Sequence, residues 1–246
     1  MTLWGYELWA VTLAFARIGA LVMLMPGLGE AAVPARARLG FALLLSIMLA
    51  PVAAQAPADV WTSSGQIISE VAVGLVLGGV ARILMTALAT AGQIFGLETG
   101  LSFAQTTDPT QGQAGQIIGV FLGLLGVTLV FATNLHHVFL LGIRDSYQVF
   151  AVGEPFSVGD AADFALGGFA DAFRIGLQIA APVVVAGLIF RLGLGVLARL
   201  APSIQVFFVA MPLNILGGFV ILTLGLSAGM LVWLDAMERY AQAGWR

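Results

Sequence analysis

The sequence has no cysteine and no lysine, and charged residues of both signs make up only 9% of its 246 positions. Without cysteine there is no disulfide framework, no thiolate nucleophile and no cysteine-ligated zinc site. All ten basic residues are arginines, and thirteen acids outweigh them to a net charge of −3. Nothing here would neutralise a row of phosphates, which argues against nucleic acid as a partner. Soluble domains carry roughly 25% charged residues. A chain with so few, and with 60% apolar residues, cannot cover a water-facing surface. Its surroundings must be lipid or other apolar protein. A basic stretch before the first apolar run is also missing: Glu7 precedes Arg17, the first positive charge. The opening segment is therefore expected to stay in the mature protein rather than act as a cleaved signal peptide.

Apolar runs are what the chain has in abundance. A membrane crossing takes about 20 mostly apolar residues. Six such segments can be read, at about 3–25, 39–54, 71–97, 116–143, 173–198 and 203–234. A lipid-facing backbone must satisfy its own hydrogen bonds, and the alternation of a barrel strand is absent. The expected fold is therefore an all-α membrane protein of about six apolar helical segments. Arginine concentrates on the cytoplasmic side of membranes. Arg36 and Arg38 place the first connection inside, and Arg191 and Arg199 do the same for the fifth. The second connection carries Asp59 and Glu70, and the fourth carries Glu154, Asp160, Asp163 and Asp171, so both are expected outside. If every segment spans, both termini are periplasmic. Pro182 interrupts the fifth segment and Pro212 the sixth, followed there by Gly217 and Gly218. Proline removes a helix hydrogen bond and clashes with the preceding turn. Kinked helices packed against protein are expected at both places.

Glycine is the clearest positional signal. The 31 glycines are about 13% of the chain, against about 7% in ordinary proteins. Gly92, Gly96 and Gly100 form a ladder at four-residue spacing, as do Gly115, Gly119 and Gly123. Gly74 with Gly78, and Gly225 with Gly229, form shorter ones. Residues four apart share a helix face, and small residues there let two backbones approach closely. The ladders are expected to be helix contacts; chance spacing in a glycine-rich chain is the alternative.

No active site emerges. Gly225-Leu226-Ser227-Ala228-Gly229 fits the pattern of a hydrolase nucleophile, but that pattern needs a strand–turn–helix elbow. Here it lies in a long apolar segment, where a serine hydroxyl bonds its own backbone. His136 and His137 point about 100° apart on a helix and do not converge on one metal ion. Buried charges can mark ion or proton paths. The candidates are Glu7, Arg17, Arg82 and Glu98; Arg82, the most central, reads best as the structural partner of a carboxylate or carbonyl. No metal, cofactor or enzymatic activity is expected.

Recognition comes from ordered motifs. Asp108-Pro109-Thr110-Gln111-Gly112-Gln113 precedes an apolar run that ends in Thr133-Asn134-Leu135-His136-His137, with Asp145-Ser146-Tyr147 beyond it. Phe15-Ala16-Arg17 is followed by Pro26, Pro34 and Arg38. Arg199-Leu200-Ala201-Pro202-Ser203-Ile204-Gln205-Val206-Phe207 leads to Met211-Pro212. Together these resemble the FliR family of flagellar type III export, called SctT in virulence injectisomes, over nearly the whole chain. Gln205 stands where the family pattern has asparagine, which touches only local capping.

The resemblance implies kinked hairpins packed into a hetero-oligomeric helical pore assembly, partly above the plane of the inner membrane. The single domain, residues 1–246, would comprise a P-like part to about 172 and a Q-like hairpin from about 173. Its partners would be the P and Q subunits FliP and FliQ, FlhB, membrane lipid and unfolded flagellar substrates, in the basal body. The polar break at about 101–113 would plug the pore, through Leu101, Phe103, Thr106, Thr107, Asp108, Pro109 and Gly112. An ordinary exposed turn is the other reading of that stretch. An injectisome subunit, a small-molecule secondary transporter and, last, an intramembrane protease using Ser227 are the alternatives in function.

Overall fold

A computed structural model describes residues 3–30, 32–53, 59–101, 117–154, 156–201 and 206–243. Among them there are seven helices and no strand: α1 (Leu3–Leu24), α2 (Ala35–Leu49), α3 (Val60–Thr99), α4 (Ile117–Ala132), α5 (Leu135–Val149), α6 (Val158–Leu200) and α7 (Val206–Ala243). The expected all-α membrane fold is therefore what the chain adopts. Four helices are long and apolar enough to cross a membrane, or five crossings exist if α4 and α5 together make one.

Three boundaries differ from the sequence expectation. The fourth apolar segment is two helices, bent by 73° at Thr133 and Asn134. Asn134 has φ 60°, a left-handed conformation that asparagine tolerates better than most residues. The polar residues Thr133, Asn134, His136 and His137 mark the break in the sequence, but the expected segment runs across them. The second segment, α2, has 15 residues and falls short of the ~20 needed to cross. The six-span topology, with its two periplasmic termini, therefore does not hold. Finally, the acidic fourth connection is mostly helix. The Ser157 hydroxyl accepts from the Asp160 N–H, and Asp160 lies in the first turn of α6, where the helix dipole favours negative charge. Asp59 starts α3 in a similar way. Thr62 Oγ1 donates to its carboxylate at 2.5 Å, and this bond, with backbone N–H groups of the first turn, holds the Asp59 carboxyl below its usual range.

The chain folds into two compact units. One contains Met1–Leu84, Val127–Ala170 and Ala236–Arg246; the other contains Met85–Gly126 and Asp171–Asp235. In the first, α1 and α3 approach through glycine. A Cβ added to Gly74 would strike the Arg17 carbonyl, and one at Gly78 would lie 2.9 Å from the Leu21 carbonyl oxygen. Leu13, Ile18, Leu21, Leu77, Phe139 and Ile143 fill the core around them. Tyr240 donates to the Leu77 carbonyl, and its ring packs against Phe139 and Phe164. α2 packs on α1, burying Ala42 and Ser46.

In the second unit, α3 and α4 touch at Gly92 and Gly119. A Cβ at Gly92 would overlap the Gly119 backbone, while one at Gly119 would stand 3.3 Å from the Ala89 carbonyl oxygen. Gly126 makes room for Leu88 and the fully buried Trp233. Gly123 faces open space, as does Gly225. Gly96 is buried within α3. Gly100 has a different role: at φ 82° it stands just beyond Thr99 and turns the chain out of the helix. Pro182 and Pro212 both lie inside continuous helices.

Gly92→Ala forces α3 and α4 apart and should destabilise the chain by about 1–3 kcal/mol. Gly123→Ala meets no neighbour and should be neutral or stabilising by up to about 1 kcal/mol. Thermal unfolding of the purified chain in detergent should give shifts of opposite sign, or a fall for Gly92→Ala alone.

Candidate functional site

Two polar constellations interrupt the apolar interior, one in each unit. The first is built on Arg17, whose side chain is 0% exposed. A guanidinium in such a place needs both charge neutralisation and hydrogen-bond acceptors. Glu70 supplies the charge through two bonds, Nε to Oε2 at 2.6 Å and Nη2 to Oε1 at 3.0 Å. Nη1 donates to the Ser146 carbonyl at 3.1 Å and to its hydroxyl at 3.3 Å. Nη2 donates to the Phe150 carbonyl at 2.7 Å. The guanidinium carbon lies 4.0 Å from the centre of the Tyr147 ring, a cation–π contact. Arg17 thus joins α1 to α3 and to the end of α5.

The second lies where α3 ends. Glu98 accepts from Arg191 of α6 at 2.6 Å. Its own main-chain carbonyl accepts from the Asn214 amide of α7 at 2.7 Å. The two helices reach this point through glycines: Gly187 lies against the Glu98 side chain and Gly218 against the Thr99 methyl. Beside the ion pair is a cavity of about 240 Å³ lined by Leu97, Phe190, Leu194, Ala210 and Met211. In contrast with Arg17, the Arg191 side chain is 57% exposed and that of Glu98 17%. A third pair, Arg82 with Glu30, is also partly exposed and has an N···O distance of 2.5 Å. Arg82 therefore has the carboxylate partner its central position suggested.

Of the residues singled out in the sequence, Leu101 begins the turn after Gly100. Phe103, Thr106, Thr107, Asp108, Pro109, Gly112, Gly115 and Pro202 lie outside the described residues. Pro26 is in the turn after α1, and Arg199 is in the last turn of α6, where positive charge suits the helix dipole. The His136 and His137 rings are 4.1 Å apart. No group of three metal-ligating side chains exists among the described residues. Ser227 is exposed in the middle of α7.

Glu70, Ser146, Tyr147 and Glu98 with Arg191 were not expected as partners. Glu70 read as a loop residue, yet it sits ten residues inside α3. The available signal was Arg17 itself: an arginine in an apolar helix requires a carboxylate, but Glu7, Glu30 and Asp59 are all nearer in the chain than Glu70, so the sequence did not say which.

Removing one partner of the buried pair leaves the other charge enclosed, at a cost of about 3–5 kcal/mol. Arg17→Ala should therefore abolish recovery of folded protein from membranes. The double replacement Arg17→Met with Glu70→Leu should recover part of it. Arg82→Ala, at an exposed pair worth about 0–1 kcal/mol, should change recovery little.

Residues 8–240 match the family model described as bacterial export proteins, family 1. The chain is 44% identical over 235 residues to the flagellar biosynthetic protein FliR of Caulobacter vibrioides, covering 94% of each. It is 33% identical over 223 residues to that of Bacillus subtilis, covering 89% of this chain and 86% of the relative. It is 29% identical over 182 residues to the Yop proteins translocation protein T of Yersinia pestis, covering 72% and 70%. With one family model spanning nearly the whole chain and relatives matched almost end to end, the chain belongs to the FliR family of bacterial export proteins.

Proposed function

We propose that this chain is a non-enzymatic subunit of a flagellar type III protein export gate in the bacterial inner membrane, at the flagellar basal body. It joins the P and Q subunits, and FlhB, to form the passage for unfolded flagellar proteins. The supporting observation is the surface of α6. Only 17% of its apolar window is buried within the chain, and 11% of that of α7, against 56% for α3. Large apolar side chains stand exposed along α6 from Leu166 to Leu200. At 1.5 Å per residue that stripe is about 51 Å long. The hydrocarbon core is about 30 Å thick. Covering the stripe with lipid alone would take a tilt of about 54°, beyond the 0–40° that helices adopt. Part of the stripe therefore needs a protein partner. The exposed Asp171–Arg174 pair lies within this length and suits a portion outside the lipid.

The division into a P-like part to about 172 and a Q-like hairpin beyond it belongs to the same reading. So does a barrier role for the polar break at 101–113, since irregular backbone at membrane depth is tolerated where it lines a cavity or is buried in protein. An injectisome subunit is the second reading, favoured by the likeness to the Yersinia protein; the higher identity to the flagellar relatives weighs against it.

A deletion strain should fail to secrete hook and filament subunits, and the tagged chain should copurify with the P and Q subunits. Normal secretion without the gene would refute the reading. Deleting residues 106–112 should leave an assembled gate that leaks small ions, and unchanged membrane conductance would remove the barrier role.

A further inference from the structure

α7 is packed into the chain mainly at its last turns. Between Met211 and Gly229 only Gly218 is buried. Met230, Trp233, Met237, Tyr240 and Ala241 are then all buried, and their spacing puts them on one helix face. The opposite face carries Asp235, Glu238, Arg239 and Gln242, all exposed. These turns are amphipathic, unlike the apolar run before them, and they lie beyond about 234, where the last apolar segment of the sequence ends. A helix end of this kind takes its place from protein packed against its apolar face. Met230 and Trp233 belong to the second unit, whereas Met237, Tyr240 and Ala241 belong to the first. There Tyr240 touches three helices from earlier in the chain. Its hydroxyl donates to the Leu77 carbonyl of α3, and its ring centre lies 6.4 Å from that of Phe139 in α5 and 5.9 Å from that of Phe164 in α6. Phe164 and Gly168 share a face of α6, and Gly168 lies against Val80 of α3. Tyr240 therefore closes over the α3–α6 contact that Gly168 makes. The other pieces of the first unit end at Ala170, so its final piece comes only with the last residues of the chain.

We infer that residues 236–243 are a closing strap for the first unit. That unit reaches its final packing only when the strap docks on α3, α5 and α6, and undocking the strap opens it while the second unit stays packed. The second unit keeps its own contacts in that event, among them Gly92 with Gly119 and Trp233 beside Gly126. An unfinished or truncated chain therefore carries an open first unit. Such a chain is kept out of the gate, a consequence that rests on the export-gate reading; the strap itself does not.

The chain has no cysteine, so a single introduced thiol reports on its own site. Val80→Cys reports on the first unit and Ala91→Cys on the second, and both residues are buried. The rate of maleimide labelling is measured on each purified variant in detergent, at full length and with the chain ended after Asp235. Truncation should raise the rate at position 80 by about tenfold or more and leave position 91 as slow as at full length. Unchanged protection at position 80 would overturn the proposal. Equal opening at both positions would also overturn it, because the segment would then hold the whole chain rather than one unit. Where the truncated chain is not recovered, full-length Tyr240→Ala carries the same test, with Glu238→Ala on the exposed face beside it. Tyr240→Ala should speed labelling at position 80 and Glu238→Ala should not; equal rates in the two would overturn the strap. In cells the truncated chain should fail to copurify with the P and Q subunits, and copurification at the full-length level would overturn the exclusion. Failure of the export-gate reading itself has a separate signature: secretion that persists when the whole gene is deleted.

Discussion

A guanidinium enclosed among apolar helices must be neutralised and have its hydrogen bonds satisfied, and around Arg17 that requirement ties together three helices. Glu70 reaches the guanidinium from ten residues inside α3. The Ser146 carbonyl, which also accepts from the Phe150 N–H, and the Phe150 carbonyl both accept from it, which holds the end of α5 against α1. The close approach of α1 and α3 that the ion pair demands is then possible only because Gly74 and Gly78 carry no side chain. The electrostatic requirement and the packing of small residues are thus parts of the same junction.

The second unit uses small residues without burying a charge so completely. Gly92 meets Gly119, Gly126 accommodates Trp233, and Gly187 and Gly218 meet the end of α3. Lipid gives helices no hydrophobic drive to associate, so close backbone packing has to supply the attraction. Where the packing stops, a cavity and an exposed ion pair take over at Glu98. The contrast with Arg17 is between a fully enclosed pair and one whose arginine lies on the surface of the chain. The glycine ladder from Gly92 does not continue through Gly100, whose left-handed φ ends α3 instead.

The lengths of α3, α6 and α7 set a further constraint. Helices of 40, 43 and 38 residues are about 57–65 Å long, roughly twice the hydrocarbon thickness. α3 answers this by burying much of its own surface, whereas α6 leaves an apolar stripe exposed that is longer than lipid can cover. The chain's membership of an export-protein family gives that exposed surface a setting in an export apparatus.

Composition alone determined that this is an apolar helical protein, because nine charged residues in every hundred cannot face water. The ordered motifs from Phe15 to Pro212 carried the family, because residue order is preserved even where each motif is weak. Glycine spacing identified Gly92 with Gly119, and Gly74 with Gly78, as places where helices could touch. It could not tell these from Gly123 and Gly225, which face open space, since spacing defines a helix face but not what lies opposite. The polar step Thr133-Asn134-Leu135-His136-His137 was visible, but that it bends the chain rather than continuing one helix was not, because the left-handed backbone angle at Asn134 leaves no mark on composition. Only the tertiary structure decided which carboxylate belongs to which arginine. Glu70 is 53 residues from Arg17 and Glu98 is 93 from Arg191, and no local rule spans such separations. Pairing across them is settled by which helices pack, and that packing encloses one pair and leaves the arginine of the other on the surface of the chain.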